Sequence, residues 1–314
     1  MRQAKSQAKK TRCCKQGGVR MAKTSGEKLL TFIITVLVTL LCMTMVYPFL
    51  HVFSISLSTF QEAYRTGFHF LPIPGKMSVE AYKLLFESST VIRGYANSIL
   101  VTAGGTALAL TIYSLLAYPL SRTYLPFRGF FNMMLAFTML FSGGMIPTYM
   151  VVRTLKLMNT LLILMLQGVV SAFNIFIIRN FFMSIPQSIE ESAIIDGAGH
   201  FATFLKIILP LSKAVLTTIG LWVGVYHWNA WFAATLYIQD SKKLVLQAVL
   251  RNILILMSSD KASDFFKVAT RNADFGQVQM KAALIMASLI PILVIYPWIY
   301  KYFEKGIMVG SVKG

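Results

Sequence analysis

Three carboxylates, Glu190, Glu191 and Asp196, fall within seven positions of a stretch that reads S-I-E-E-S-A-I-I-D-G-A-G-H-F-A-T-F-L-K-I-I-L-P from Ser188 to Pro210. The chain has only twelve acidic residues, so this is a concentration. Grouped carboxylates can do general acid–base work, or they can serve the backbone. Ser188 followed three residues later by Glu191 is the spacing of a capping box, which predicts a short helix starting there. Gly197 suits a left-handed cap at its end. A second short helix is expected next, because Phe201, Phe204, Leu205 and Ile208 fall on one apolar face. Pro210 disfavours helical geometry at Leu209 and is expected to end it. The stretch therefore reads as two short helices turning about a glycine.

Other chemistry-bearing residues are sparse. His51, His69, His200 and His227 are scattered and form no H-E-x-x-H motif or His/Cys cluster, so no metal site is expected. There is no G-x-x-x-x-G-K-[ST] motif to cradle ATP phosphates, and no catalytic constellation emerges. Cys13 and Cys14 lie in a basic arm and Cys42 in an apolar run, which gives neither a disulfide framework nor zinc spacing. Trp222, Trp228 and Trp231 accompany His227, Asn229 and Tyr237. Aromatic faces beside amides suit sugar rings, and they equally suit an interfacial aromatic belt. Asn97, Ser98, Gln167, Ser171 and Asn174 could line a pathway or bond between helices.

The elements carrying these residues are membrane helices. The chain has 314 residues, 56% apolar and 13% charged, too apolar for an ordinary soluble domain. Several apolar runs exceed the ~20 residues needed to cross a bilayer. The net charge of +18 could suit nucleic acid, but nine of the thirty basic residues precede the first apolar run. In a membrane protein such a cluster is a topology signal and a contact for anionic lipid, so no nucleic-acid partner is expected.

The reading is all-α, with a flexible basic arm over 1–28, a transmembrane domain over 29–304 and a tail over 305–314. Six spans are expected at about 29–53, 94–120, 129–150, 160–182, 213–238 and 281–302, with the elbow in a loop over 184–212. The first run is too long for a signal-peptide core and shows no cleavage pattern, so it is expected to remain as an anchor. Residues 244–257 are apolar but short, and read as a helix lying on the outer surface. None of the twelve acids falls inside the six spans. The basic arm, Arg122, Arg128, Arg179, Lys206, Lys213, Lys301, Lys305 and Lys313 favour a cytoplasmic placement of both termini and the elbow; the short outer loop holds only Arg153 and Lys156.

The elbow resembles the "EAA" loop of permease subunits of ATP-binding-cassette (ABC) importers. In that pattern E-A-A is followed, after three residues, by a glycine, and after nine more residues by I-x-L-P. Glu191, Ala193, Gly197, Ile207, Leu209 and Pro210 match at that spacing, and Ser192 stands where the pattern has alanine. N-S at Asn97, I-P-T-Y at Ile146, W-N at Trp228 and the tail K-G-I-M-V-G-S-V-K-G from Lys305 resemble bacterial carbohydrate permeases of the maltose type, in particular the second permease subunit. F-S-G-G-M-I-P-T-Y from Phe141 looks closest to a Gram-positive branch associated with complex oligosaccharides.

The resemblance implies the type I importer permease fold in the bacterial plasma membrane and a transport role without enzyme activity. It also implies a heterodimer with a second permease, an ABC ATPase dimer that binds ATP and Mg, and an extracellular solute-binding protein that delivers a carbohydrate. Glu190, Glu191, Ser192, Ala193, Asp196, Gly197, Ile207, Leu209 and Pro210 would couple to the ATPase. Gly310, Lys313 and Gly314 would form a tail contact to it. Asn97, Ser171, Asn174, Trp228, Asn229 and Trp231 are the candidates for the pathway. The rival readings are an importer for a non-sugar solute, an ion-coupled secondary transporter, which would show intramembrane charge and matching broken halves, a membrane-embedded enzyme and a structural scaffold.

Overall fold

The computed structural model describes residues 25–63, 77–258 and 276–310. Most of the expected basic arm, the end of the expected tail with Lys313 and Gly314, and His69 lie outside the described residues. Every described element is helical, apart from one isolated antiparallel bridge between Ser58 and Met77. The chain divides into two units, Met1–His51 and Val52–Gly314.

Helix α1, Ser25–Ser56, supplies all of the first unit's described residues. It is apolar on every side. A helix of that kind suits hydrocarbon instead of water. The hydroxyls of Thr31, Thr35, Thr39 and Thr44 each donate to the carbonyl four residues back, so none is left unpaired in an apolar setting.

The second unit is built around α4, Ser89–Ser121, a 33-residue helix. The short helices α2, Phe60–Ala63, and α3, Glu80–Glu87, precede it. After it come α5, Arg128–Leu140; α6, Met145–Thr154; α7, Leu161–Leu166; and α8, Ala172–Ser184. The elbow region contains α9, Gln187–Ile195; α10, His200–Thr203; a π-turn, Phe204–Ile208; and α11, Leu209–Leu211. The chain continues through α12, Lys213–Trp228; α13, Trp231–Tyr237; α14, Leu246–Ser258; and the 34-residue α15, Gln277–Gly310. Helices α4, α8 and α12 share a core of Ala109, Tyr113, Ala117, Ile175, Ile178, Phe182, Ile219 and Val223. Three helices run beyond the bounds expected for the spans they contain: α1 takes in the last four residues assigned to the arm, α4 begins at Ser89, and α15 carries helix through Gly310.

The third, fourth and fifth expected spans are not single helices. The third breaks at Phe141–Gly144, where α5 and α6 meet at 114°. Gly144 adopts φ +81°, and an extended Phe141 ends α5. The fourth breaks between α7 and α8, with Gly168 at φ +73°, and the fifth breaks at Asn229–Ala230. Among the described residues, three helices are long and apolar enough to cross a membrane unbroken, or up to five if each bent pair counts as one span.

Helix α14 corrects the expectation for 244–257. Leu246, Ala248, Val249 and Leu250 are buried against α4, α13 and α15, so the helix is wedged into the bundle and does not lie on its surface. Polar groups of α4 lock its start: Ser98 Oγ accepts the Leu246 N–H at 2.8 Å, and the Asn97 amide donates to the carbonyls of Lys242 and Leu244.

Two features hold the long helices together where apolar burial gives little drive in lipid. A Cβ on Gly105 would lie 2.6 Å from His227 Nε2, so the bare backbone of α4 is what lets the fully buried His227 ring of α12 approach. In α15, Pro291 has no N–H for the carbonyl four residues back, Ala287. The Tyr95 hydroxyl donates to that carbonyl at 2.6 Å, and the Trp228 indole N–H donates to the next one, Ser288, at 3.3 Å.

Candidate coupling elbow

The elbow begins at Pro186, which occupies the N-cap of α9 without any side-chain cap. The expected capping box therefore does not form. Ser188 sits inside the first turn, where its carbonyl accepts the Ser192 hydroxyl at 2.8 Å, and Glu191 is exposed. The other end follows the expectation. Gly197 adopts φ +85°, its N–H bonds the Ile194 carbonyl, and the Ala198 N–H bonds the Ala193 carbonyl, both at 2.9 Å. Those two bonds make a complete Schellman cap.

The second half departs from the expected simple helix. Leu209 keeps helical angles and its N–H bonds the Phe204 carbonyl, five residues back. This wide turn makes room for the Pro210 ring, whose clash with the preceding turn would otherwise break the helix, so helix continues to Leu211. It also rotates the expected apolar face. Phe204 and Ile208 are buried, whereas Phe201 and Leu205 are exposed. Ile207 and Leu209 are half-buried, and Pro210 is exposed.

The three carboxylates have different fates. Glu190 turns inward, where its Oε2 lies 2.8 Å from Arg122 Nη2, and these side chains are only 9% and 4% exposed. The Tyr118 hydroxyl donates to Glu190 Oε1 at 2.7 Å. Arg122 also lies 5.0 Å over the Tyr118 ring and donates to the Phe182 carbonyl at 3.5 Å. Tyr118 in turn packs 4.9 Å from the Phe204 ring and meets Phe182 edge-on. The end of α4 thus ties to α8, α9 and the π-turn through one buried network. Tyr124 extends it by packing on His200. Partial burial first, and the Glu190 carboxylate second, raise the pKa of the Tyr124 hydroxyl, which keeps it protonated.

The opposite face is open. Glu191, Ser192, Asp196 and Gly197 are exposed beside Ile194, Ile195, Phe201 and Leu205; Ile195 is 85% exposed and Phe201 66%. Ala193 is buried beneath. An apolar ridge rimmed by two carboxylates suits a protein partner, so Glu191 and Asp196 remain available to one and Glu190 does not.

The pathway candidates separate likewise. Asn97 is bound to backbone carbonyls, and Trp228 is buried with its indole bonded, so both act within the fold. Ser171 caps α8 by accepting the Asn174 N–H. Asn229 and Trp231 are exposed. Sequence reading missed Arg122 and Tyr118 as members of the site. Their one signal was a cation closing the apolar run that leads into the 122–128 loop.

No family model matches the chain. It is 41% identical to the polygalacturonan/rhamnogalacturonan transport system permease protein YtcP of Bacillus subtilis (strain 168), over 86% of this chain and 93% of that one. Protein LplC of the same organism is 40% identical, over 86% and 90%. A crystal structure of a bacterial ABC transporter involved in the import of the acidic polysaccharide alginate superposes with a TM-score of 0.84 at 29% identity, covering 90% of this chain and 99% of that one. Permeases of this kind are integral membrane proteins that work with a partner permease, an ATPase and a solute-binding protein, and they leave ATP hydrolysis to the ATPase. With this likeness and the elbow geometry together, the chain belongs to the family of permease subunits of ABC sugar-transport systems.

Proposed function

We propose that this chain is one half of the membrane pathway of an ATP-driven importer for oligosaccharides that carry acid sugars. The other half is a second permease, and an extracellular binding protein delivers the cargo. An ATPase dimer holding ATP and Mg seats the elbow. Both termini and the elbow face the cytoplasm, with six crossings between them. The observation that carries the coupling role is the two-sided elbow, with an apolar ridge at Ile195 and Phe201 facing out and the Glu190–Arg122–Tyr118 network fastening it to α4. Movement of the seated ridge is passed to α4, the 33-residue helix around which the second unit is built. The acid-sugar assignment is supported by the relative named for polygalacturonan transport and by the alginate importer.

Gly197→Asp tests the coupling role. No atom lies within 4 Å of the new Cβ, but φ +85° strains any side chain there. The variant is expected to insert into the membrane normally while uptake falls and ATP hydrolysis continues. Uptake equal to the parent, measured with labelled oligosaccharide in reconstituted vesicles, overturns the assignment.

A further inference from the structure

Arg251 on α14 lies over the ring of Trp231 on α13, 4.3 Å from its centroid. Among the described residues the guanidinium has no carboxylate or carbonyl partner, and Trp231 is 40% exposed. An aromatic face holds a guanidinium flat and leaves its N–H edge free, the geometry that receives a carboxylate through two parallel bonds. Asn229 lies two residues before Trp231. Its amide nitrogen is used on the Val225 carbonyl, which leaves the side-chain oxygen to accept a hydroxyl. Helix α14 starts beside Gly94 and Ser98, near the first turns of α4. The Tyr118–Arg122 network is at the other end of α4, about 36 Å away for the twenty-four residues from Ser98 to Arg122. The pair is therefore far from the elbow, at the end where cargo enters under the proposed orientation.

We propose that Arg251, positioned by Trp231, reads the carboxylate of an acid sugar residue and sets the preference of this permease for charged over neutral chains. This rests on the acid-sugar reading above. Uptake by the full reconstituted importer with its binding protein is compared for an oligogalacturonide and its methyl ester, which has the same sugar backbone without the charge. The parent is expected to favour the free acid. Arg251→Gln is expected to lose about ten-fold or more of that preference, the range for a lost hydrogen bond to a charged group, while Arg251→Lys keeps part of it. Trp231→Leu should erode the preference in the same direction, and it replaces Arg251→Gln if that complex fails to assemble. A preference unchanged in these variants overturns the role of Arg251 and leaves the importer assignment standing. A parent that takes up only neutral chains overturns the acid-sugar reading, and this inference with it.

Discussion

Glu190 and Arg122 are a buried charge pair whose removal by halves should be costly. Taking one partner away strands the other charge in a dry site, at about 3–5 kcal/mol. Glu190→Gln is therefore expected to lower the melting temperature of the purified permease complex. Arg122→Met in the same chain should recover part of the loss, because no uncompensated charge then remains. A double variant less stable than the single would contradict the pairing. The sequence singled out Glu191 for the cap and the loop pattern, but it did not show that the adjacent Glu190 is the carboxylate that turns inward. Which one points inward depends on the side on which α9 packs, and that is settled by Tyr118 and Arg122, some seventy residues away. Gly197 was legible because its role is local: the bonds that cap α9 involve only residues 193–198.

Among the elements, the close approach of α4 and α12 rests on Gly105. A methyl group there would press the His227 ring at a distance no Cβ tolerates. Gly105→Ala is expected to destabilise the complex by about 1–3 kcal/mol, as overpacked sites do. His227→Ala in that background should relieve it, and thermal melts of both variants and the pair would show this. Helix type was readable throughout, but helix continuity was not. The break at Phe141–Gly144 needed the positive φ of Gly144 to be chosen over a straight apolar helix. Pro210 was misjudged because the π-turn that accommodates it draws on packing of Phe204 and Ile208 in the distant core. The burial of α14 was equally hidden, since its locking partners Asn97 and Ser98 lie some 145 residues earlier.

For the whole molecule, an even number of crossings would bring both chain ends to one face. Reporter fusions at the two termini are expected to report the cytoplasm in both cases, and opposite sides would require a seventh crossing. Composition revealed membrane residence, and the charge pattern supported an orientation.

The exposed ridge at Ile195 and Phe201 also bears on the lifetime of the subunit. An isolated copy displays greasy side chains at a glycine-capped bend that proteases and chaperones can reach. Production of this chain must then be matched to production of whatever covers the ridge, and surplus copies become substrates for quality control. The surface that would receive mechanical work in the finished machine is expected, in the orphan subunit, to act as a degradation signal.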